Sequence, residues 1–129
     1  MQQGKYPNTF YRVSVKALIK NGSGEVLVVK EHQGNKWELP GGGLDHGEGI
    51  HDCLKRELRE ELNITNNFTE SFNKAETQYM PSRPDKELDF WKISMYFDVT
   101  IIDDFIVKPT GELTDARFMP DTVLSDLYG

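Results

Sequence analysis

The segment Gly42–Ile64 reads GGLDHGEGIHDCLKRELREELNI, a glycine-rich loop that runs into a helical pattern ending in a cluster of acids. Its glycine-rich start is followed by apolar residues at helical spacing, which predicts a helix from Gly49 to Leu62 with one apolar stripe. The stripe consists of Ile50, Cys53, Leu54, Leu58 and Leu62. We therefore expect the rest of the chain to pack around this loop and helix.

Three glutamates crowd the last turns of the predicted helix. With an advance of about 100° per residue and Ile50 taken as zero, Glu57 falls at roughly 340° and Glu61 at roughly 20°. Both positions lie inside the arc of the apolar stripe, whereas Glu60 stands at the edge of that arc, at about 280°. We therefore expect Glu57 and Glu61 to face the protein body, with Glu60 beside them.

This placement is unfavourable for acids that have no counter-ion. The C-terminal end of a helix carries negative dipole charge, like charges at i, i+3 and i+4 repel, and burial adds a further cost. A divalent cation would turn these penalties into ligation, because Mg²⁺ binds carboxylate oxygens and uses them to hold substrate phosphates. Helix geometry alone leaves a simpler interpretation open, in which the acids form a solvated face paired with Arg56 and Arg59.

The spacing of the charged residues and glycine is more specific than helix geometry. In order, the chain has Gly42, five residues, Glu48, seven residues, Arg56-Glu57-Leu58, one residue, Glu60-Glu61, one residue, and Asn63-Ile64. This pattern resembles the signature of the Nudix hydrolases, which usually have glycine at the position of Asn63. Because Asn is the next-best residue for the left-handed conformation that ends a helix, we expect this difference to affect local stability only.

Two further segments extend the resemblance over nearly the whole chain. Trp37–Gly43 is similar to an aromatic–Leu-Pro-Gly-Gly segment of the family, and Glu112–Pro120 is similar to its tail, with Phe118 where tryptophan is usual. The resemblance implies an α/β fold of Nudix type. This is an α/β/α sandwich with a mixed β-sheet, the Nudix loop–helix–loop and a short C-terminal helix.

The remaining segments predict strands, which suit a mixed sheet covered on both faces. Tyr11–Lys20 alternates apolar and polar residues, which predicts a half-buried strand. A turn at Asn21–Gly24 joins it to Glu25–Lys30, whose apolar run predicts a strand buried on both faces. We therefore expect these two strands to form a hairpin. Further strands are expected at the start of Trp37–Gly43 and at Lys74–Met80, Leu88–Ile102 and Leu113–Met119, with connections at Thr65–Phe72, Pro81–Lys86 and Asp103–Gly111. A small final helix is expected to have Asp121 as its N-cap and Val123, Leu124 and Leu127 on its apolar side.

Composition limits the class of protein. The 129 residues suit a single domain spanning 1–129, and 37% hydrophobic with 28% charged residues is typical of a globular protein. The net charge of −6 argues against a nucleic-acid or membrane partner. Met1–Thr9 lacks an apolar run, so we expect a cytoplasmic location. Cys53 is expected to be a buried thiol, and the three histidines, His32, His46 and His51, show no zinc-type spacing with it.

The resemblance implies hydrolysis of a pyrophosphate linkage in a nucleoside diphosphate joined to another group, by attack of water on phosphorus. It implies Mg²⁺ or Mn²⁺ as cofactor, with Glu57 and Glu61 as primary ligands and the Gly42 carbonyl reaching the metal. Glu60 would share a second ion or orient water, and either Glu61, Glu60 or Glu112 would be the general base. Arg56 would fix the rotamers of the acids, and its alternative is a surface salt bridge.

Other positions and the substrate are less constrained. Glu48 is expected to open the helix, where the dipole favours an acid, and Glu112 is either a further site acid or an exposed loop residue. The aromatic residues Trp37, Tyr79, Phe90, Trp91 and Phe118 give no basis for choosing one that would contact a nucleobase. Candidate substrates are nucleoside triphosphates, ADP-ribose, nucleotide sugars and dinucleoside polyphosphates, and a homodimer is possible. A non-catalytic nucleotide sensor is the alternative function, and a metal buffer is a third.

Overall fold

The computed structural model describes residues 11–32, 34, 36–81 and 90–127. Within these ranges the chain forms the strands β1 (Tyr11–Leu18), β2 (Val26–Glu31), β3 (Trp37–Glu38), β4 (Gly41–Gly43), β5 (Phe68–Met80), β6 (Phe90–Ile101) and β7 (Leu113–Met119). The helices are α1 (Ile50–Leu62) and α2 (Leu124–Leu127), the latter preceded by a 3₁₀ turn at Asp121–Val123. Of the predicted connection Pro81–Lys86, all but Pro81 lies outside the described residues.

The strands form two sheets. The first is a mixed sheet in the order β4-β1-β6-β5, in which β1 and β6 run parallel and the other neighbours run antiparallel. The second is antiparallel, in the order β3-β2-β7. The mixed sheet expected from the sequence is therefore present, and a second sheet accompanies it.

The two helices cover opposite sides of the strands. On β2, Leu27 and Val29 belong to the core cluster that contains the apolar stripe of α1, whereas Val26 and Val28 belong to a second cluster against which α2 packs. All four of these β2 residues are buried, as the sequence predicts for a strand covered on both faces. The α/β/α sandwich and the short C-terminal helix are confirmed.

The predicted hairpin of the first two strands is wrong. Asn21 does form the predicted turn, since its side-chain oxygen accepts hydrogen bonds from the amides of Ser23 and Glu25 at 3.0 and 2.9 Å. Pairing stops after a single bridge between Lys20 and Val26, and β1 and β2 then enter different sheets. β2 lies between β3 and β7 instead, and the four apolar residues at its start are buried there.

Two smaller predictions also need correction. Thr65–Phe72 is not a connection throughout, because β5 already begins at Phe68, whose ring is buried in the main core. Asp121 is the first residue of the 3₁₀ turn, and Pro120 occupies the N-cap position without a side-chain capping bond. Val123, Leu124 and Leu127 nevertheless pack against the second core cluster, as expected.

Asn63 ends α1 in the left-handed conformation predicted for it, with φ 57° and ψ 31°. The amide of Asn63 donates to the Arg59 carbonyl and the amide of Ile64 donates to the Leu58 carbonyl, both at 3.1 Å, and the first of these bonds is that of the αL motif. The contribution of residue 63 to stability therefore depends mainly on how well that residue tolerates positive φ.

We predict that Asn63→Ala lowers the free energy of unfolding by about 1 kcal/mol, because a residue with a Cβ and no local polar group resists this conformation. Asn63→Gly should leave that free energy unchanged or raise it slightly. Urea denaturation of the two variants would measure the difference. An equal loss in both would show that backbone conformation is not what residue 63 contributes.

Candidate active site

The end of α1 carries the three glutamates at the depths that the helical arc predicts. The Glu57 side chain is only 13% exposed, whereas that of Glu60 is 55% exposed at the edge. Glu61 lies at intermediate depth, between the buried residues Leu58 and Leu62. Two carboxylates therefore face the protein and one faces outward.

The glycines of β4 allow the backbone to pass directly against these acids. The Gly41 amide donates a hydrogen bond to Oε1 of Glu61 at 2.9 Å. A Cβ on Gly41 would lie 2.0 Å from the Val15 carbonyl oxygen, and its φ of 141° also favours glycine. A Cβ on Gly42 would lie 2.4 Å from Oε1 of Glu57. Only glycines at these two positions keep the strand and the acids this close.

Arg56 contacts three of the carboxylates, those of Glu48, Glu57 and Glu60. Its Nε and Nη2 donate to the two oxygens of Glu48 at 2.8 and 2.9 Å, and its Nη1 donates to Oε1 of Glu57 at 2.9 Å. Nη2 also donates to the Gly43 carbonyl at 3.1 Å, and Glu60 lies 3.5 Å from Nη1. Arg56 is thus a largely buried clamp between the loop and the helix, rather than an exposed surface pair.

Glu48 has a different structural role from the predicted one. The helix begins at Ile50 with Gly49 as N-cap and no side-chain capping bond, so Glu48 does not cap it. Instead Glu48 accepts the two bonds from Arg56 and one from the Asp45 amide at 3.1 Å. The hydrogen bond from Arg56 is the main reason that the pKa of Glu48 falls to about 2. Glu48 is therefore charged, and it orients Arg56.

The loop before β7 closes the C-terminal end of α1. The amides of Lys108 and Thr110 donate to the carbonyls of Leu62 and Glu61 at 3.0 and 2.8 Å, and the Thr110 hydroxyl donates to the Glu60 carbonyl. These bonds satisfy carbonyls that a helix end leaves without partners. They also bring the loop residue Glu112 beside the acids of the helix.

The result is a cavity of about 340 Å³ with carboxylates on several sides. It is lined by Glu31, Gly41, Gly42, Glu57, Glu60, Glu61, Thr110, Gly111, Glu112 and Leu113. No basic side chain is among these described lining residues, although Arg56, outside the lining, contacts Glu57 and Glu60. We call this space the acid cavity.

Glu61 shows the electrostatic cost of the arrangement. Burial is the largest cause that raises its pKa, to about 7, and repulsion from Glu57 adds to it. The hydrogen bond from the Gly41 amide and attraction to Lys16 act in the opposite direction and do not cancel the rise. A carboxylate whose pKa lies near neutral pH is suited either to bind a cation or to accept a proton.

The acids fit a hard divalent cation by their chemistry. Within the described ranges, no three Asp, Glu, His or Cys side chains already converge on one point at ligand geometry. Glu57 instead bonds to Arg56, and Glu61 bonds to Gly41. The cavity still offers several carboxylates and a close backbone, which are the oxygen donors that Mg²⁺ and Mn²⁺ prefer.

Sequence reasoning missed one acid of this cavity. Glu31 ends β2 after an irregularity in the β2–β7 register at Lys30/Glu31, and such bulges often re-aim a side chain beside an active site. The signal was absent because a bulge depends on the partner strand, which is distant in sequence. Glu112, by contrast, lies where the sequence suggested a further acid.

The other singled-out residues lie away from the acid cavity. Cys53 is fully buried, as predicted, and burial raises the pKa of its thiol to about 12. The three histidines are exposed, and His51 contacts the Glu70 carboxylate at 2.8 Å. Among the aromatic residues, Tyr79 and Trp91 form a surface pair on β5 and β6 with ring centroids 5.6 Å apart.

No helix in the described ranges combines the length and apolar character needed to cross a bilayer. The fold itself occurs in solved structures. A MutT protein from Methanosarcina mazei Go1 superposes with a TM-score of 0.72 at 24% identity, covering 93% of this chain and 85% of that one. The dihydroneopterin triphosphate pyrophosphohydrolase of E. coli gives a TM-score of 0.70 at 16% identity, covering 92% and 88%. At these identities the likeness shows the fold alone.

Curated relatives match over shorter stretches. An RNA pyrophosphohydrolase of Ruthia magnifica is 42% identical over 55 residues, which are 43% of this chain and 31% of that protein. The 8-oxo-dGTP diphosphatase of Escherichia coli K12 is 32% identical over 78 residues, which are 57% of each chain. The chain thus spans between about a third and somewhat more than half of the length of these relatives. The family model of the NUDIX domain matches residues 10–127, and the chain belongs to this family.

Proposed function

We propose that this chain is a Nudix pyrophosphohydrolase that splits a pyrophosphate linkage in a nucleoside diphosphate joined to another group. The observation that carries the proposal is the acid cavity, where carboxylates of α1 lie against the Gly41-Gly42 backbone. The names of two relatives, RNA pyrophosphohydrolase and 8-oxo-dGTP diphosphatase, agree with this class of reaction.

Nudix hydrolases generally use divalent metal ions, and we propose Mg²⁺ or Mn²⁺ here. When bound, such an ion supplies charge neutralisation at the phosphate oxygens. Glu57 and Glu61 would hold it, with the Gly42 carbonyl as a further donor, and Glu60 would hold a second ion or orient water. Arg56 keeps Glu57 in place by its 2.9 Å hydrogen bond.

In the reaction, a water oxygen forms a bond to one phosphorus while the bond from that phosphorus to the bridging oxygen breaks. The bridging oxygen leaves with the other phosphate, and a carboxylate of the acid cavity takes the proton of the water. Glu61, Glu60 and Glu112 are the candidates for this base. The raised pKa of Glu61 belongs to the metal-free site, and a bound cation would lower it, so this pKa does not choose among the three.

A panel of nucleotides tests the proposal. The chain is incubated with nucleoside triphosphates, ADP-ribose, nucleotide sugars or dinucleoside polyphosphates, with Mg²⁺, Mn²⁺ or EDTA, and the products are identified. We expect at least one substrate to be cleaved at its pyrophosphate linkage, with no product in EDTA. Tight nucleotide binding with no metal-dependent product would instead indicate the sensor, and cation binding indifferent to nucleotides would indicate a metal buffer.

We predict that Gly42→Ala lowers turnover by roughly tenfold to a hundredfold, the usual range when groups that orient ligands are disturbed. The new methyl group would displace the Glu57 carboxylate, which lies 2.4 Å from the added Cβ. Steady-state kinetics on a substrate that the nucleotide panel identifies would measure the loss. The unfolding midpoint should change little, because the flexible Glu57 side chain can move away from the new methyl group.

Gly43→Ala is the matched control for this change. A Cβ there meets nothing closer than Arg12 at 3.9 Å, so turnover should stay near that of the wild type. Equal losses in both variants would show that strand β4, and not the position of Glu57, is what the substitutions disturb.

Three broader expectations belong to the same proposal. Residues 1–129 would act as one domain, the partner would be a small nucleotide, and the location would be cytoplasmic. Cell fractionation would test the location. Sedimentation would test whether the chain forms a homodimer.

A further inference from the structure

Strand β5 forms a long open edge of the mixed sheet. It ends the strand order β4-β1-β6-β5, and among the described residues it pairs with β6 alone. Its 13 residues contrast with the three residues of β4, at the other edge of the same sheet. The outer side of an edge strand presents backbone amides and carbonyls without ladder partners, which are a template for another strand.

This edge restricts which strand can pair with it. The β5–β6 register shifts between Phe72 and Lys74, which marks a bulge. Bulges and lysines on edge strands deter indiscriminate strand addition. After the bulge, residues 74–80 pair one to one with residues of β6, so this part of the edge is regular. The edge of β5 therefore suits a partner strand of matching charge and register.

Lys74 and Glu76 place opposite charges on one face of this edge. Side chains alternate across a strand, so residues 74 and 76 point to the same side of the sheet. Tyr96 on β6 contacts both of them. Nζ of Lys74 lies 5.4 Å from the centroid of the Tyr96 ring, and the Tyr96 hydroxyl donates to Oε1 of Glu76 at 2.8 Å. Between the two charges stands Ala75, which is small and exposed.

A two-fold axis through Ala75 makes this pattern complementary to itself. Two antiparallel copies of β5 related by that axis place Lys74 opposite Glu76 of the partner subunit, and Glu76 opposite the partner's Lys74. Opposite charges that face each other across a strand pair are stabilising, whereas like charges are destabilising. An axis one residue away, at Lys74 or at Glu76, would put two identical charges opposite each other. The charges therefore select one register.

The exposed aromatic residues of β5 agree with this register. Phe72 is 57% exposed and Tyr79 is 46% exposed. Their partners on β6 are Phe97 and Trp91, so both aromatic residues lie on the face of the sheet that α1 covers. With the axis at Ala75, Phe72 of each copy lies diagonally across from Tyr79 of the other, within reach of aromatic side chains. Aromatic residues are enriched where interfaces are buried.

We propose that two copies of this chain associate through β5, antiparallel and with Ala75 on the two-fold axis. The two mixed sheets then form one continuous sheet, with a pair of Lys74–Glu76 contacts between the copies. The same surface is used by both copies, so the association closes at a dimer. The described lining of the acid cavity contains no residue of β5, so this association does not depend on the proposed hydrolysis.

Charge reversal tests the inference in sedimentation equilibrium of the full chain over a range of concentrations. We expect the wild type to dimerise. Lys74→Glu and Glu76→Lys each put like charges opposite each other twice, so each should raise the dimer dissociation constant by roughly tenfold or more. An equimolar mixture of the two variants should dimerise again, because opposite charges then meet at both positions. Lys55→Glu, on the exposed side of α1, is the matched control and should dimerise like the wild type.

Several results would overturn the inference. A wild type that stays monomeric throughout the concentration range is one. Dimers that persist in both charge variants would place the contact elsewhere. Loss in both variants without recovery in the mixture would show that these charges do not face each other. Circular dichroism verifies that each variant is folded. Ala75→Arg, at an exposed position, is an independent test, because two guanidinium groups would meet on the axis; a dimer that survives it also contradicts the inference.

Discussion

Replacing Glu61 by glutamine is expected to reduce turnover by about a thousandfold or more while the fold survives, a loss of the size seen when a key electrostatic group is removed. Glutamine keeps the shape of the side chain and an oxygen that can accept the hydrogen bond from the Gly41 amide. It loses the negative charge that would hold a cation or take a proton. Steady-state kinetics with Mg²⁺ and circular dichroism would measure the two effects.

Asp52→Asn is the control for this variant, since Asp52 is an exposed acid on the same helix outside the acid cavity. Its turnover should match that of the wild type. Wild-type turnover in Glu61→Gln would refute the assignment of Glu61. A pH profile of Glu60→Gln and Glu112→Gln would then identify the base, because only loss of the base removes the acidic limb of the profile.

The same substitution should stabilise the metal-free protein above neutral pH. The pKa of Glu61 is about 7 in the folded protein against an ordinary value of 4.5, so the folded state binds more protons between these two pH values. Stability of the wild type should therefore fall as pH rises from 4.5 to 7, by at most about 3 kcal/mol. Glutamine does not titrate, so Glu61→Gln should not show this fall.

Urea denaturation in EDTA at pH 5 and pH 8 would measure this difference. Added Mg²⁺ or Mn²⁺ should raise the stability of the wild type at pH 8 more than that of Glu61→Gln, because a ligand that binds the folded state stabilises it. If metal-free wild type and variant respond identically to pH, then Glu61 is not desolvated in the way the structure indicates.

The parts of the fold set by local chemistry followed from the sequence. The helical period located α1 to within one residue and placed Glu57 and Glu61 inward, since a helix face depends only on neighbouring residues. The left-handed conformation of Asn63 followed from the rules for helix ends. Burial of β2 on both faces followed from its unbroken apolar run.

The parts that depend on distant residues did not follow. A turn at Asn21–Gly24 is compatible with a hairpin, and only the competing partners β3 and β7 draw β2 into a separate sheet. The same limit hid Glu31, whose direction is set at the β2–β7 irregularity. Pairing across the sheet, and not local propensity, decides these features.

Replacing Arg56 by glutamine is expected to damage both stability and activity, because one guanidinium serves several carboxylates. The Glu48 side chain is 14% exposed and that of Glu57 is 13% exposed, so two largely buried carboxylates lose their bonded counter-ion when Arg56 is replaced. We expect the unfolding midpoint to fall by roughly 5 °C or more. Turnover should fall by roughly tenfold to a hundredfold as Glu57 loses its orientation.

The pH dependence of this loss has a definite sign. The pKa of Glu48 is depressed to about 2 in the folded protein, so its bond to Arg56 stabilises the fold fully above pH 4.5. This contribution disappears as pH falls from 4.5 towards 2 and Glu48 becomes protonated. The stability difference between wild type and Arg56→Gln should therefore be largest near neutral pH and shrink in acid. A difference that grows in acid would contradict the pairing of Glu48 with Arg56.

Two companion variants separate charge from geometry. Arg56→Lys keeps the charge but cannot donate in parallel to both oxygens of Glu48, as Nε and Nη2 do at 2.8 and 2.9 Å. It should therefore recover part of the stability and little of the turnover. Arg59→Gln, one turn further along on the exposed side, should change neither. If Arg56→Lys restores full turnover, a positive charge behind Glu57 is sufficient and the orienting fork is not required.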